Sequence, residues 1–172
     1  MHHHGYAWVG AKKAFDREFI RRPPGEAPTP SSEQEVFARY REAVAEFPAS
    51  GVPPIQTAHW LMKPPSLIRG TWHEPTKAGE WLALQLTDLA PRFDSVEDRE
   101  ASRLVLLVES AIKRLAWGGD VSLGHYVSGN AFHSVALVTC CPNKSAPELG
   151  CPASPQSMPS MPHGDARRTR QR

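Results

Sequence analysis

The sequence predicts a mainly α-helical fold of four helices, two of them paired as an antiparallel hairpin at the core, with a short β-hairpin near the C-terminal end of the domain. Three observations lead to this prediction. Apolar residues recur every three or four positions from Ala101 to Leu115, a second such stripe follows a capping box at Ser32, and prolines bound a third run at 77–90. That spacing matches the helical repeat and places the apolar side chains on one face.

The chain of 172 residues has the length of one domain with flanking segments. Charged residues make up 22% of it, as in ordinary globular proteins, and no apolar run reaches the ~18 residues of a membrane helix. The start lacks a secretory pattern and three cysteines do not make a disulfide framework, so we expect a cytoplasmic, reduced protein. We divide the chain into a flexible N-terminus at 1–10, a single helical domain at 11–143 and a disordered tail at 144–172.

Two helices are predicted before the core hairpin. A short one spans 11–22 and ends at a proline-rich linker. The next spans 33–47, where Ser32 and Glu35 have the spacing of a capping box that satisfies the free amides of a first turn. We expect this helix to end before Pro48, because proline lacks the backbone donor that continues a helix.

The segment between Pro48 and Pro75 combines two Pro-Pro pairs with many apolar side chains. Each proline pushes its predecessor towards extended geometry, which excludes one continuous helix. The segment is too apolar for a solvated linker, so we expect it to cover the helical hairpin. The alternative is that Trp60 and Trp72, together with Tyr126, line a ligand pocket.

The core hairpin consists of helices at 77–90 and 95–117. Thr76 is the expected N-cap of the first helix, and Ser95 with Asp98 is the expected cap of the second. Acidic residues in the first turn and basic residues in the last turn of the second helix match its dipole, and a glycine pair ends it. The short connection predicts that the two helices are antiparallel neighbours.

Residues 121–139 are rich in β-branched side chains and contain a Ser-Gly-Asn turn, which indicates a β-hairpin. The alternative is a short buried helix from Asn130 to Cys140, which would make the domain all-α. Periodicity does not distinguish the two in so short a run.

Basic residues are concentrated at the C-terminus. The net charge is +2, and four arginines lie in the last six residues, so the remainder carries −2. These residues are Arg167, Arg168, Arg170 and Arg172. An unfolded arginine tail can bind phosphate backbones without sequence preference. Because the rest of the chain adds no basic excess, nucleic-acid binding is the minor alternative and a solvated tail is the expectation.

Four internal histidines are the catalytic candidates: His59, His73, His125 and His133. They flank the tryptophan-rich segment and the turn of the β-hairpin. If those regions met, the imidazoles would suit acid–base chemistry or metal binding, because histidine titrates near neutrality. None of the four stands in an H-E-x-x-H or H-x-H arrangement, and the sequence contains no nucleophile-elbow, phosphate-loop or dinucleotide motif.

The three cysteines do not have the spacing of a zinc finger. Cys140 and Cys141 are adjacent, whereas paired zinc ligands usually stand about two to four residues apart, and Cys151 fits no familiar pattern. His163 lies in the predicted disordered tail. A histidine at position 3 can complete a square-planar copper or nickel site with a free amino terminus, but a disordered end without metal is the expectation. The sequence therefore predicts no metal site and no cofactor.

As function, the sequence favours a non-enzymatic interaction or regulatory protein that binds a protein partner or a second copy of itself. Amphipathic aromatic segments without catalytic motifs support this hypothesis. Leu106 and Leu107 lie off the main apolar stripe and, with Trp81, are the expected contact residues. The alternatives are a small-molecule or metal-dependent enzyme that uses the four histidines, and a nucleic-acid-associated protein that uses the arginine tail.

Overall fold

The protein is built on a four-stranded sheet with helices against it, in a computed structural model that describes residues 1–153. Its helices and strands are, in chain order, β1 (His2–Ala11), α1 (Lys12–Phe15), α2 (Gln34–Ala49), β2 (Gly70–Trp72), α3 (Pro75–Leu89), α4 (Ala101–Ala116), β3 (Val121–Val127) and β4 (Ala131–Cys140). Short 3₁₀ turns lie at Glu18–Arg21, Thr57–Met62, Pro65–Leu67, Ala90–Arg92 and Glu97–Arg99. The strand order is β2-β1-β4-β3, and all neighbouring strands are antiparallel.

The prediction of a mainly α-helical fold is wrong, because this sheet makes the protein a mixed α/β structure. The predicted β-hairpin is present as β3 and β4, so the all-α alternative is wrong as well. The unexpected element is β1, which occupies the expected flexible N-terminus. It pairs with β4 along its whole length, from His2 opposite Cys140 to Ala11 opposite Ala131. Hydrogen bonding to β4 on one side and to β2 on the other therefore orders the first residues.

Side chains of β1 alternate between the two faces of the sheet, as in any strand. Gly5 and Ala7 lie on the face that α3 and α4 cover, which we call the helix face. Tyr6 lies on the opposite face, which we call the second face, with Ala136 and Val138 of β4. The sheet is therefore covered on both sides.

The predicted helical hairpin is present as α3 and α4, and it packs on the helix face. Leu82, Leu86 and Leu115 are fully buried there against Val135 and Leu137 of β4. Burial of each such side chain contributes about 1.5–3 kcal/mol to stability. This packing stabilises both the helices and the sheet beneath them.

Gly79 explains how closely the two helices approach. A Cβ atom at this position would lie 2.4 Å from Cγ1 of Ile112 on α4. The absence of a side chain therefore offsets the helix-weakening effect of glycine, which is at most about 1 kcal/mol.

The helix ends differ in part from the predictions. Ser95 Oγ accepts the Asp98 amide at 3.1 Å, as a capping box requires, but this bond lies at the 3₁₀ turn before α4, and the N-cap of α4 itself is Glu100. Glu33 and Glu74 are the N-caps of α2 and α3, and neither makes a side-chain cap hydrogen bond, so the predicted caps at Ser32 and Thr76 are wrong.

Prolines and glycines end the helices less uniformly than expected. The predicted helix at 11–22 is divided into α1 and a 3₁₀ turn. Pro48 lies inside the last turn of α2 instead of following it. Gly118 ends α4 as predicted, because its φ of 84° is in the left-handed region that glycine adopts without strain.

The tryptophan-rich segment covers the second face of the sheet rather than the helical hairpin. Trp60 is buried and stacks on Tyr6 with 4.6 Å between ring centroids, and Leu61 packs beside them. Trp72, at the end of the same segment, lies on the helix face against Trp81. The segment therefore crosses from one face to the other where it becomes β2.

Residues 143–151 are ordered against the sheet, which contradicts the disorder predicted from residue 144. The buried Asn143 amide donates to the Asp120 carboxylate at 3.0 Å and to the Thr139 carbonyl at 2.8 Å. Its side-chain oxygen accepts the amides of Ser145 and Ala146. One amide group thus fixes the turn that follows β4. In the described part of the chain, no helix combines the length and apolar character needed to cross a bilayer.

Candidate metal centre

Five histidine and cysteine side chains meet at the edge of the second face, where β1 begins and β4 ends. His2 and His4 come from β1 and share a face because strand side chains alternate. Cys140 is the last residue of β4 and lies directly opposite His2. Cys141 follows it in the turn, and Cys151 comes from the segment that returns over the sheet. We call these five residues the His/Cys cluster.

The donor atoms of the cluster lie at the spacing of metal ligands. The two imidazole Nε2 atoms of His2 and His4 are 3.1 Å apart, and Cys151 Sγ lies 3.6 Å and 3.5 Å from them. The sulfurs of Cys140 and Cys141 are 3.4 Å apart. In a tetrahedral zinc site, neighbouring sulfur and nitrogen ligands lie about 3.3–3.8 Å from each other, given the usual zinc–ligand bond lengths. The donor atoms of His2, Cys140, Cys141 and Cys151 all lie within 4.8 Å of one another, so small side-chain adjustments suffice to surround an ion.

The turn after β4 brings the sulfurs together. Cys141 has a φ of 63°, in the left-handed region that residues with a side chain seldom adopt. The Asn143 hydrogen bonds hold the chain immediately after it. Leu149 then packs on the second-face core, which brings Cys151 next to β1.

Hydrogen bonds outside the cluster orient one of its imidazoles. His4 Nδ1 lies 2.8 Å from Thr71 Oγ1 on β2, which leaves Nε2 directed at Cys151. Such a partner on the second ring nitrogen is the usual support of a metal-binding histidine. His3 points to the helix face instead, where its Nδ1 lies 3.0 Å from Thr139 Oγ1. It is fully buried in the sheet, so this structure does not have the free N-terminal chain needed for a square-planar site at position 3.

The lowered pKa values of the cluster imidazoles favour their neutral form at neutral pH. Burial, and then the charges of His2 and His3, lowers the pKa of His4 to about 4. Burial also lowers the pKa of His2, with further contributions from His73 and the amino terminus. Burial, followed by hydrogen bonds from Cys141 and Cys151, raises the pKa of the Cys140 thiol. A bound metal ion would instead lower the pKa of Cys140, because a coordinating thiol loses its proton.

Tyr6 provides an independent observation on this site. Its side chain is buried beside the cluster, and its hydroxyl has no hydrogen-bond partner among residues 1–153. Burial, and then the charges of the Cys140 and Cys151 thiols, raises the pKa of Tyr6, so both sulfurs are within electrostatic range of the ring. A metal-bound thiolate would supply the acceptor that this hydroxyl lacks. The residues present therefore fit a thiophilic metal ion.

The structure does not bring the four predicted histidines together. His125 and His133 are cross-strand partners at one end of the helix face, with ring centroids 6.1 Å apart. His73 lies next to His2, 5.8 Å between centroids, at the other end of the sheet. Val9, the β1 residue opposite His133, is seven positions from His2, or about 23 Å along the strand. His59 is in the 3₁₀ turn that covers the second face.

The predicted aromatic pocket is not assembled either. Trp60 stacks on Tyr6 in the second-face core, and Trp72 packs against Trp81 on the helix face. Tyr126 is exposed at the β3–β4 hairpin, in edge contact with Phe132. These rings belong to three different environments.

The predicted interaction residues also separate. Leu106 is 65% exposed on the outside of α4, whereas Leu107 and Trp81 pack against the helix-face core. Only Leu106 is therefore available for a surface contact. Arg167, Arg168, Arg170 and Arg172 lie outside the described residues, as does His163.

The sequence did not predict that the residues of the His/Cys cluster lie close together. The prediction of no metal site used spacing along the chain, but Cys151 and His2 are 149 positions apart. The available signal was the His2-x-His4 pair within an alternating segment, which becomes an H-x-H ligand pair only if residues 2–11 form a strand.

Comparisons of the chain with protein-family models, with curated proteins and with solved structures gave no match. The geometry of the His/Cys cluster is therefore the basis on which a function is proposed.

Proposed function

We propose that the protein binds a zinc ion in the His/Cys cluster, with Cys140, Cys141, Cys151 and His2 as ligands. The observation that carries this proposal is the convergence of donor atoms from both ends of the domain to within 4.8 Å. Three thiolates and an imidazole match the ligand types and number of structural zinc sites. His4 is the neighbouring donor that can replace a ligand.

Four protein ligands leave no coordination position for a substrate or a reactive water, which is the arrangement of a structural rather than a catalytic site. The ion would join the beginning of β1 to the end of β4 and to the returning segment at Cys151. The proposed role of the ion is therefore structural. A reducing compartment such as the cytoplasm, which we propose as the location, would keep the three thiols available.

Zinc titration tests this function. In competition with a chromophoric chelator, we expect one zinc per chain with an apparent Kd below about 50 nM, because structural zinc sites bind with ~10 kcal/mol or more. The double variant Cys140→Ser/Cys151→Ser should bind at least about 100-fold more weakly, since loss of even an outer-shell partner costs 10- to 100-fold. His59→Gln, a histidine outside the cluster, is the matched control and should bind like the parent. Equal affinity of the double variant and the parent would contradict the proposal.

We propose self-association through the outer surface of α4 as a second function. Val105 and Leu106 are 56% and 65% exposed, and Val105 lines an apolar groove of about 480 Å³ between α3 and α4. Adjacent exposed apolar side chains beside a groove are characteristic of protein contacts, and a symmetric dimer would place the same surface of each copy on the other.

Sedimentation velocity tests this second proposal. Leu106→Arg should shift the protein from dimer to monomer, because a buried unpaired charge opposes association. Leu107→Arg is unsuitable, since Leu107 packs against the core. Val96→Arg changes an equally exposed apolar residue in the loop before α4 and should leave the mass unchanged. A parent protein that sediments as a monomer at high micromolar concentration would exclude self-association.

A further inference from the structure

A cavity of about 640 Å³ lies at the end of α4, and none of the proposed zinc ligands lines it. The C-terminal half of α4, the start of β3, the turn after β4 and the start of the 3₁₀ turn at Thr57–Met62 form its walls. Side chains that can bind a ligand in it are Ser110, Arg114, Trp117, Ser122, Lys144 and Ser145. The volume is within the ~300–1,000 Å³ range of small-molecule sites in proteins.

Trp117 provides an aromatic surface at this cavity. Its side chain is 58% exposed, although indole is among the side chains that gain most from burial. Arg114 and Lys144 lie beside the ring, with the guanidinium carbon 5.9 Å and the ammonium nitrogen 5.1 Å from the centroid. The Lys144 ammonium group also donates to the Trp117 carbonyl. Ring and cations are therefore held together.

The electrostatic character of the cavity favours an anion. Among the residues that the structure describes, neither Arg114 nor Lys144 forms an ion pair. The one acidic residue in the wall, Asp120, uses its carboxylate to accept the Thr139 amide and the Asn143 side chain. Within residues 1–153, both cations are therefore without a carboxylate partner.

We propose that this cavity binds a small aromatic phosphate of nucleotide size. The planar ring would stack on Trp117, and the phosphate would accept hydrogen bonds from Arg114 and Lys144, since guanidinium and ammonium groups are the usual phosphate partners in proteins. The hydroxyls of Ser110, Ser122 and Ser145 would bind the polar groups between ring and phosphate. This site does not depend on the proposed zinc centre, whose ligands lie outside the cavity lining.

Isothermal titration calorimetry of the full chain with AMP, adenosine and inorganic phosphate tests the proposal. AMP should bind with a Kd below 1 mM, and adenosine and phosphate should each bind at least about 5-fold more weakly, because a stacked base alone contributes about 5- to 150-fold in affinity. Trp117→Ala should reduce AMP affinity by the same factor, and Arg114→Gln should reduce AMP and phosphate binding together.

Lys113→Gln is the matched control, because Lys113 is an exposed cation of the same helical turn that does not line the cavity. It should leave AMP affinity unchanged. Thermal melts of the variants establish that each one folds. Because Trp117 and Arg114 are exposed, their replacement should leave the melting temperature within a few degrees of that of the parent protein. No saturable binding of AMP up to 5 mM, or AMP binding equal to that of phosphate and unaffected by Trp117→Ala, would overturn the proposal.

Discussion

Removal of zinc is expected to lower the unfolding temperature of the protein by roughly 8–16 °C. A ligand that binds only the native state stabilises it by RT ln(1 + [L]/Kd), which is about 4 kcal/mol when the free ion is 1,000-fold above Kd. Each kcal/mol shifts the melting temperature of a protein of this size by about 2–4 °C. The donors of His2 and Cys151 meet only in the folded chain, so the unfolded state cannot retain the same site.

Differential scanning calorimetry with and without EDTA measures this effect. The double variant Cys140→Ser/Cys151→Ser should melt at the same temperature under both conditions, because it has no high-affinity site to lose. His59→Gln should keep the full decrease. If EDTA leaves the melting temperature of zinc-saturated parent protein unchanged, the ion does not join the two ends of the domain as proposed.

Acid is expected to destabilise the protein between pH 6.5 and about pH 4 through His133. This side chain is fully buried, and neither of its ring nitrogens has a hydrogen-bond partner among residues 1–153. Burial, and then the charge of His125, lowers the pKa of His133 to about 4 from 6.5. His125 itself stacks on Phe93 with 4.2 Å between centroids, and its pKa is lowered by burial, with Asp98 acting in the opposite direction.

The sign of the effect follows from proton binding. Well above pH 6.5 both folded and unfolded states hold neutral His133, and this group does not lower the stability. As the pH falls towards 4, the unfolded chain binds a proton that the folded chain does not, which favours unfolding. The interval between 6.5 and about 4 corresponds to a loss of about 3 kcal/mol.

Urea denaturation at pH 7.5 and pH 4.5, with EDTA present so that zinc release does not contribute, measures this loss. His133→Phe should lose about 2–3 kcal/mol less than the parent over this interval, because the variant has no buried imidazole to protonate. His59→Gln changes a less buried histidine and should retain most of the parent's decrease. The prediction is contradicted if His133→Phe and the parent lose the same free energy of unfolding.

Local sequence patterns were sufficient to predict the helical hairpin of α3 and α4 and the β-hairpin of β3 and β4. α3 and α4 were predictable because apolar residues recur at helical spacing in both segments, and basic residues in the last turn and a terminal glycine also mark the end of α4. The β3–β4 hairpin was indicated by a different local pattern, since its strands are rich in β-branched side chains and are joined by a three-residue turn.

The first strand was not predictable from local pattern. Its partner β4 lies more than a hundred residues away, and the three histidines and one glycine at positions 2–5 have neither the apolar alternation nor the β-branched content of typical strands. Pairing with a neighbour decides whether such a segment is a strand. The mainly α-helical prediction failed at this point, and the His/Cys cluster was missed because two of its residues belong to that strand.

Disorder was wrongly predicted for the segment after β4, because amino-acid composition does not show the effect of a single buried hydrogen-bonding side chain. Residues 143–151 contain few apolar side chains, which predicts disorder. One buried amide, that of Asn143, satisfies two carboxylate oxygens, a carbonyl and two backbone amides and so fixes the turn. This contact brings Cys151 back towards the start of the chain.

X-ray absorption at the zinc K-edge of the one-to-one complex is the most direct test of the proposed centre. Ligation by Cys140, Cys141, Cys151 and His2 predicts three sulfur scatterers at about 2.3 Å and one nitrogen at about 2.0 Å. A coordination shell that contains only oxygen and nitrogen would contradict the proposal that these cysteines bind the ion.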